Sequence, residues 1–367
     1  MSTLTLDGTA AISDPAAQRS KADALRIAAL ALLSIRFIHG FVYWGGGSRR
    51  FIYAPAKLDP TAANWMANKF QSAMPGALLG TGHIIAFLLH HFYLLYVSLM
   101  LFSAAELITG LCLMAGLLTR AAALVSIGLS VVLILMFGWT GATCIDEWTM
   151  AACNLAIGAT LMLGGSGAFS LDSGLLARKP ALAERRWFRW ISGALPLPMR
   201  SSTFQKFALA VFAATVIFNV ATYNHYRGSV VTPFHGGPVS PGEHHLTLTD
   251  GVVLASGAVR FHAYLDGGTP AAPSNVMTAA LKSYDGTVLE LWDGAALSHL
   301  PASAISNEFA YNRFAPGPFG LRAQMGAMAT IRLPATSAAA IVGVHGAARL
   351  ELRTVNGNTF NVAVRAE

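Results

Sequence analysis

Five apolar stretches, each about the length of a membrane-crossing helix, restrict the possible folds of this chain more than any other feature. They run over Leu25–Gly45, Phe92–Leu118, Ala121–Trp139, Trp148–Gly165 and Phe207–Tyr223. A helix of about 20 apolar residues crosses the hydrocarbon core of a bilayer. The composition agrees, since 54% of the 367 residues are hydrophobic and 12% are charged, against about 25% charged in a soluble domain. The sequence therefore predicts a multi-pass protein of the lipid bilayer.

From Ser229 onward the pattern changes to short runs of alternating or β-branched residues. Turn-forming pairs separate the runs, and the clearest are Asp250-Gly251, Asp285-Gly286 and Asn356-Gly357. An Asn-Gly pair between two alternating runs is the strongest local signal for a β-hairpin, and short strands at this spacing are typical of a β-sandwich. The predicted fold class is therefore membrane α plus β, with a four-helix transmembrane bundle, a fifth transmembrane helix and a C-terminal β-sandwich.

These patterns divide the chain into five regions. They are a polar tail (1–24), a four-helix membrane domain (25–176), a basic loop (177–206), the fifth transmembrane helix (207–223) and the β-sandwich (229–367). The apolar segment 78–91 is short for a span, and the sequence leaves open whether it crosses the membrane or re-enters it. The first 23 residues lack the layout of a cleavable signal peptide, so we expect the first span to be an uncleaved anchor.

The distribution of lysine and arginine predicts the orientation. The loop between the fourth and fifth spans carries Arg178, Lys179, Arg185, Arg186, Arg189, Arg200 and Lys206. Cytoplasmic loops are enriched in such residues, which places the N-terminus in the cytoplasm and the C-terminal domain in the periplasm of a bacterial inner membrane. Because this loop explains most of the net charge of +7, we expect no nucleic-acid partner.

A polar stripe interrupts the first span. Arg36, His39 and Tyr43 are spaced by three and four residues, so a helix places them on one face. An arginine inside a membrane helix costs about 2.5–3.5 kcal/mol on insertion scales. Glu106, near the middle of the second span, is the expected partner of Arg36, either in a structural ion pair or in a functional site. Arg36, His39 and Glu106 are candidate catalytic residues, and Tyr43 is a candidate cofactor contact.

Four cations in the loop after the first span do not fit this orientation. Arg49, Arg50, Lys57 and Lys69 fall on the outer side, where positive residues are depleted. One interpretation is that these side chains extend to lipid phosphates. The other is that Arg49, Arg50 and Lys69 bind an anionic substrate, which a cluster of one charge attracts from solution.

A third group lies at the outer end of the fourth span. Asp146 and Glu147 are candidate proton carriers, and Cys144 is a candidate nucleophile. Trp148 and Asn154 are candidate cofactor contacts. The structural alternative is that Asp146 caps the helix, with Glu147 favoured in its first turn. Cys144 is then an incidental thiol, since no base flanks it, and Trp148 belongs to the aromatic belt of the membrane.

Metal and haem sites have little support. The three cysteines form neither a CxxC nor a CxxCH pattern. His83 and His90 stand about 10 Å apart along a helix at its rise of 1.5 Å per residue, which is too far for one ion. We therefore expect neither a metal nor a haem.

Several of these residues together resemble a known family. They are Arg36 in the first span, the runs Glu106-Leu-Ile-Thr-Gly110 and Gly116-Leu-Leu-Thr-Arg120, and the Cys-x-Asp-Glu-Trp block at 144–148. The first four spans resemble the DoxD subunit of thiosulfate:quinone oxidoreductase, within the wider DoxX-like membrane proteins. The chain from about Phe204 onward resembles the companion DoxA subunit, so the whole looks like a fused DoxD–DoxA protein.

The resemblance implies a reaction and its partners. Two thiosulfate dianions couple to tetrathionate, and two electrons pass to a ubiquinone-like membrane quinone. In this reading Arg49 and Arg50 gather thiosulfate, while Arg36 holds a substrate anion or a reduced-quinone oxygen. His39, Glu106 and Glu147 carry protons. The resemblance leaves the oligomeric state open, with a homo-oligomer among the options.

Two alternatives remain at this stage. The chain is a non-catalytic DoxX-like scaffold that displays a periplasmic binding domain, or it oxidises another sulfur anion and delivers the electrons to quinone. Absence of turnover with thiosulfate and a quinone analogue would favour the scaffold. A panel of substrates would show whether another sulfur anion is oxidised instead.

Overall fold

The computed structural model describes residues 27–141, 146–167, 169–227, 243–335 and 348–367. Its N-terminal part is helical. The helices are α1 (Leu33–Ser48), α2 (Met66–Ala73), α3 (Thr81–His90), α4 (Phe92–Ala115), α5 (Thr119–Phe137), α6 (Glu147–Gly164), α7 (Leu171–Arg178), α8 (Arg186–Ile191) and α9 (Ser201–Arg227). A single turn of π-helix, Arg49–Tyr53, continues α1.

Within these described ranges, four helical stretches are long and apolar enough to cross a membrane. They are Ile27–Tyr53, which contains α1, and the helices α4, α5 and α9. The predicted fourth span corresponds to α6, which is not among these four because Glu147 and Asn154 reduce its apolar character. The segment around α3 forms a ten-residue apolar helix, about 15 Å long at 1.5 Å per residue, which is half the hydrocarbon thickness.

The described residues group into two compact units. One comprises the residues up to Ser48 together with Ala104–Leu129 and Asn154–Thr215. The other comprises Arg49–Ser103, Ser130–Cys153 and Val216–Glu367. The polar stripe of α1 belongs to the first unit, and the cationic loop and the C-terminal domain belong to the second.

Glycines allow α1 and the second half of α4 to pack closely in the first unit. A Cβ atom on Gly110 would lie 2.2 Å from the backbone N of Trp44, and one on Gly40 would lie 2.7 Å from the backbone N of Met114. Contacts this close exclude any side chain. Leu113, Ala123 and Leu161 form a fully buried cluster in the same unit.

The C-terminal domain consists mainly of strands. Its elements are β1 (His245–Val253), β2 (Val259–Gly267), β3 (Ser274–Ser283), β4 (Val288–Trp292), the short helix α10 (Gly294–Ser298), β5 (Ile305–Asn307), β6 (Phe314–Gly317), β7 (Gly320–Ala323), β8 (Met328–Leu333), β9 (Ala348–Thr354) and β10 (Thr359–Ala366). Inward residues alternate with outward ones, and Phe261, Leu281 and Trp292 are among the fully buried side chains. The prediction of a membrane α plus β protein with a C-terminal β domain is confirmed.

The strands form one barrel-like sheet. Its order is β5-β8-β2-β1-β10-β9-β3-β7-β6, with β4 paired to β3. All described pairs are antiparallel except β1 with β10. The two ends of the sheet approach each other, because the Asn307 side chain on β5 exchanges hydrogen bonds of 3.0 and 2.7 Å with the backbone of Phe314 on β6.

Two of the predicted turns are hairpins and one is not. Asn356-Gly357 joins β9 to β10, and Asp285-Gly286 joins β3 to β4. The prediction of a turn at Asp250-Gly251 is wrong. Both residues lie inside β1, where the pairing with β2 shifts register between Thr249 and Val252 and Asp250 takes a φ of 54°. The pair forms an irregularity in a continuous strand. The left-handed backbone conformation that an Asp-Gly pair adopts in a turn also occurs in such strand irregularities.

The C-terminal domain packs against the segment around α2 within the second unit. Gln71 is fully buried. Its amide donates hydrogen bonds of 2.9 Å to the carbonyls of Asn312 and Gly326, and its Oε1 accepts one of 2.8 Å from the backbone N–H of Asn312. The Asn312 side chain donates in turn to the carbonyls of Asn68 and Met325. The β domain is therefore joined to the helical part by buried hydrogen bonds as well as by the chain itself.

Candidate functional site

The polar stripe of α1 faces inward along its whole length. Arg36, His39 and Tyr43 are all buried. The Arg36 guanidinium donates hydrogen bonds of 2.8 and 2.7 Å to the carbonyls of Ser166 and Phe169, in the loop that follows α6. A buried cation here satisfies two carbonyl groups of a loop whose described residues belong to no helix or strand. The contacts therefore indicate a structural task for Arg36.

The expected pair between Arg36 and Glu106 is not formed. Glu106 is buried and lies beside Gly46, where a Cβ atom would be 3.1 Å from the carboxylate Oε2. Gly46 is ten residues beyond Arg36, which corresponds to about 15 Å along a helix. Arg36 and Glu106 therefore interact with opposite ends of α1.

A polar centre lies between these two residues, one turn along from Arg36. Ser126 on α5 is fully buried. Its Oγ lies 3.1 Å from Nε2 of His39, and its carbonyl accepts a hydrogen bond of 2.9 Å from the Tyr43 hydroxyl. The rings of His39 and Tyr43 meet edge to face at 5.0 Å, and Asn154 on α6 interacts with the histidine. The structure thus brings together three predicted residues and adds Ser126.

Two nitrogen atoms on this face of α1 are buried without a hydrogen-bond partner among the described residues. They are Nδ1 of His39 and Nε of Arg36. A buried polar atom without a partner is unfavourable. The Ser126 hydroxyl donates to the Ala123 carbonyl, so it accepts from Nε2–H of His39, and Nδ1 of the neutral ring is an acceptor. The hydroxyl of a reduced quinone can donate to this Nδ1, and a quinone oxygen can accept from Nε–H of Arg36. The chemistry of these groups therefore fits a quinone head group.

The four cations of the loop after α1 form one electrostatic cluster. Burial lowers the pKa of Lys57, and the positive charges of Arg49, Arg50 and Lys69 lower it further. The Arg50 guanidinium also lies over the ring of Phe102, 5.6 Å from its centroid, and 3.5 Å from the Ser103 hydroxyl. We call Arg49, Arg50, Lys57 and Lys69 the cationic cluster. Its charges repel one another, which favours the binding of an anion.

Glu147 is the counter-ion of one member of the cationic cluster. Its Oε1 accepts a hydrogen bond of 3.0 Å from the Lys69 ammonium, and the Thr140 hydroxyl donates to Oε2 at 3.4 Å. Burial raises the pKa of Glu147, but the Lys69 charge and the hydrogen bonds outweigh this effect and hold the pKa below its usual value. Glu147 is therefore an ionised carboxylate beside a cation that an anionic ligand also attracts.

Asp146 and Trp148 have structural partners. Asp146 accepts a hydrogen bond of 2.8 Å from the Thr149 backbone N–H, as a helix cap does, and forms a buried ion pair with Arg227 at the end of α9. The Trp148 indole donates to the Thr222 hydroxyl at 3.0 Å. These contacts fasten α9 to the start of α6. Cys144 lies outside the described residues.

A cavity of about 530 Å³ lies beside Lys69, within the second unit. Residues of the segment 63–72, the helix ends at Thr140 and Glu147, and three parts of the β domain line it. These parts are the loop 269–273, Asn312 and the stretch 322–325. We call this space the α2 cavity. Its volume lies within the roughly 300–1,000 Å³ of small-molecule sites.

Sequence reasoning missed the residues that the β domain contributes to the α2 cavity. Asn312 is 241 residues from Gln71 of α2 along the chain, Arg322 is ten residues farther still, and no local pattern connects either with α2. Trp65 was missed as well, although an isolated tryptophan beside Asn64 and Asn68 in a loop is a visible feature. Ser126 gives no signal, since a serine inside an apolar run is common.

The part of the chain that the structure describes contains no group of three or more His, Cys, Asp or Glu side chains placed to hold a metal ion. The polar groups around Ser126 are single histidine, tyrosine, serine and asparagine side chains. These are donors and acceptors of hydrogen bonds rather than a ligand set.

Comparison with protein families gives two matches in tandem. Residues 31–199 match the family described as TQO small subunit DoxD, where TQO stands for thiosulfate:quinone oxidoreductase. Residues 226–362 match the family described as TQO small subunit DoxA. The first match contains the polar centre and the cationic cluster, and the second contains the described strands β1 to β9 and the first half of β10.

Proposed function

Because this chain belongs to the DoxD and DoxA families and joins both thiosulfate:quinone oxidoreductase subunits in one polypeptide, we propose that it oxidises thiosulfate to tetrathionate. Two thiosulfate dianions join through one new S–S bond and release two electrons. A ubiquinone-like quinone in the membrane takes up both electrons together with two protons. The protein's task is to hold two anions of like charge, to place the quinone and to deliver protons.

The cationic cluster is the observation that carries this proposal. Burial lowers the pKa of Lys57, and the charges of Arg49, Arg50 and Lys69 lie close enough to lower it further. Four cations this close repel one another, which costs free energy unless an anion binds among them. A bound substrate of charge −2 relieves the repulsion among these cations. Two such substrates repel each other as well, and the positive charge of the cluster lowers that repulsion so that they can approach. Arg49, Arg50 and Lys69 therefore gather thiosulfate.

The polar centre of α1 supports the second half of the reaction. His39 and Tyr43 lie in the first span and Asn154 on α6, and Nδ1 of His39 has no partner among the described residues. We assign these side chains to the quinone, with His39 as a proton carrier whose Nδ1 accepts and then releases a proton at the quinone oxygens. Arg36 holds the loop after α6 in place through hydrogen bonds to two carbonyl groups. Its Nε–H has no acceptor among the described residues, and we assign it to an oxygen of the quinone.

Glu106 and Glu147 complete the proposed proton route. Glu106 is buried beside Gly46 at the outer end of α1. Glu147 is ionised next to Lys69 and accepts a proton more readily once an anion competes for that lysine. A carboxylate can take up and release protons, which suits each of them to a proton-coupled quinone reduction.

We further propose the orientation that the charge distribution favours. The N-terminus and the basic loop 177–206 lie in the cytoplasm of a bacterium, and the β domain lies in the periplasm. The cationic cluster then faces the periplasm, from which thiosulfate arrives.

The test uses the full chain, purified in detergent with added lipid. We expect thiosulfate-dependent reduction of a ubiquinone analogue, with tetrathionate formed at one molecule per quinone reduced. Arg50→Gln should raise the KM for thiosulfate by about tenfold, as expected for loss of a charge-assisted contact. His39→Gln should lower kcat, and Arg353→Gln, on the exposed face of β9, should change neither.

Two results contradict the proposal. An intact, lipid-supplied preparation without thiosulfate-dependent quinone reduction favours the scaffold. Rapid turnover of another sulfur anion, with none of thiosulfate, identifies a different quinone-linked oxidation. Sealed vesicles of known orientation test the sidedness, since only outward-facing β domains should use external thiosulfate.

A further inference from the structure

We infer that the α2 cavity binds sulfur oxyanions, and that Trp65 and Arg322 recognise them. The inference rests on the proposed function for the identity of the anion. It adds a location, two residues outside the cationic cluster, and a task for the β domain in substrate binding.

The cavity has rigid walls that come from distant parts of the chain. The buried side chain of Gln71 connects α2 to Asn312 and Gly326, and Asn312 connects back to Asn68. The Trp65 ring packs edge to face on Tyr311, with the centroids 4.9 Å apart. Groups held this way keep their positions when a ligand enters.

An unsatisfied donor belongs to this wall. The Trp65 side chain is 3% exposed and lines the cavity. Its Nε1–H has no hydrogen-bond acceptor among the described residues. An indole N–H is a donor only, and a buried donor without an acceptor is unfavourable. An oxyanion in the cavity supplies this acceptor.

The charges of the cavity favour an anion. Lys69 and Arg322 are its cations, and Glu147 is its carboxylate. Glu147 already pairs with Lys69, whereas the Arg322 guanidinium has no hydrogen bond or ion pair to the described part of the chain. Lys69 also belongs to the cationic cluster, so the field of Arg49, Arg50 and Lys57 extends toward the cavity.

The surfaces between these charges suit sulfur. Trp65, Phe137 and Met325 are buried side chains that line the cavity, and the Lys69 ammonium lies 5.3 Å from the Phe137 ring centroid. Thiosulfate has an oxyanion end that needs N–H donors and a polarisable sulfur end. Polarisable sulfur makes favourable contacts with aromatic rings. Sulfate presents oxygen on every side, so it interacts with the donors of the cavity but gains nothing from its aromatic rings.

The volume admits two substrate molecules. A five-atom anion occupies on the order of 150 Å³ if each atom takes the ~30 Å³ share of a water molecule in the liquid. Two such anions take about 300 Å³, a little over half of the 530 Å³. Formation of an S–S bond between two thiosulfates requires them to meet in one place, and the α2 cavity offers that place.

The experiment separates binding from turnover. Titration calorimetry of the full chain without quinone measures the dissociation constants of thiosulfate, tetrathionate and sulfate at constant ionic strength. We expect Arg322→Gln to weaken binding of thiosulfate and tetrathionate about tenfold, since a charge-assisted hydrogen bond is lost. Trp65→Phe keeps the aromatic packing but removes the N–H, and we expect a severalfold weakening. The exposed Arg353→Gln, with the same change of charge in the same domain, should bind as wild type does.

The outcomes distinguish this inference from the proposed function. Wild-type turnover with unchanged thiosulfate affinity in both Arg322→Gln and Trp65→Phe overturns the inference and leaves the function standing. Weakened binding in a protein that never reduces quinone supports the site and overturns the function. Sulfate that binds as tightly as thiosulfate overturns the selectivity for sulfur oxyanions. Should Trp65→Phe fail to fold, Arg322→Gln at an exposed position still decides the matter.

Discussion

The ammonium group of Lys57 is less firmly charged than that of an ordinary lysine. Burial lowers its pKa, and the neighbouring cations lower it further. A bound thiosulfate favours the protonated form, so affinity must fall as the pH rises through this lowered pKa. We expect the KM for thiosulfate to increase on the alkaline side, at a lower pH than an unperturbed lysine would produce. Steady-state kinetics from about pH 7 to about pH 10 at constant ionic strength measure this effect.

Two variants locate the source of that pH dependence. Lys57→Gln should have a raised KM at every pH and should lose the alkaline increase. Lys206→Gln, at an exposed position at the start of α9, should keep it. An alkaline increase that persists in Lys57→Gln assigns the titration to another group and contradicts the prediction.

Ser126 supplies the hydrogen-bond partner of His39 and also binds its own helix, through a 2.8 Å bond to the Ala123 carbonyl. Ser126→Ala removes the hydrogen bond to Nε2 of His39. One such hydrogen bond contributes about 1 kcal/mol. We expect a roughly fivefold lower kcat/KM for the quinone analogue and an unchanged KM for thiosulfate. Thr160→Val, an exposed position on α6, is the control. An equal loss for both substrates would indicate general damage to the fold rather than a role at the quinone.

At the scale of helices, two glycines predict opposite effects on stability. A Cβ atom on Gly110 would lie 2.2 Å from backbone N of Trp44, whereas one on Gly128 would meet nothing within 4 Å. Gly110→Ala forces α1 and α4 apart and should destabilise by about 1–3 kcal/mol. Gly128→Ala should stabilise α5 by about 0.5–1 kcal/mol, because alanine loses less conformational freedom. Thermal unfolding in detergent measures both.

The contrast between these glycines is its own control, since the chemical change is identical. A lower unfolding temperature for Gly110→Ala and a higher one for Gly128→Ala support the close packing. Similar shifts for both would mean that α1 and α4 are not in tight contact near Gly110.

The elements themselves were largely predictable from sequence. Hydropathy and length are properties of a continuous stretch of sequence, so they predict α1, α4, α5 and α9 without knowledge of the fold. The spacing of Arg36, His39 and Tyr43 fixed their common face for the same reason. The turn at Asp250-Gly251 was wrong because a left-handed φ serves both a turn and a strand irregularity, and only the pairing with β2 decides which forms.

The partners of these residues were not predictable in the same way. Arg36 binds carbonyl groups, which every residue carries and no sequence pattern marks. The acidic residue expected beside it, Glu106, lies at another level of α1. A polar residue in a membrane span therefore predicts that it has a partner. It does not predict whether that partner is a side chain or the backbone.

At the scale of the whole molecule, the sequence predicted a β domain tethered by a membrane helix. The position of this domain against α2 depends on Gln71 and Asn312, which are 241 residues apart along the chain. Uncharged amides at this separation leave no pattern in a single sequence. The α2 cavity was unpredictable for the same reason, because its walls exist only once both parts have folded.

The hydrogen bonds of Gln71 test whether the β domain contributes to substrate binding or only packs against the helical part. Gln71→Met keeps the volume but leaves the Asn312 N–H and two carbonyls without partners, at a cost of about 1–3 kcal/mol for each unsatisfied group. We expect faster hydrogen exchange in Met66–Ala73 and a higher KM for thiosulfate, with the β sheet itself still protected. Gln205→Met, at an exposed position on α9, should show neither change. Faster exchange with an unaltered KM would mean that the β domain packs against α2 without serving the substrate, because a wall of the α2 cavity cannot loosen while its ligand is held as before.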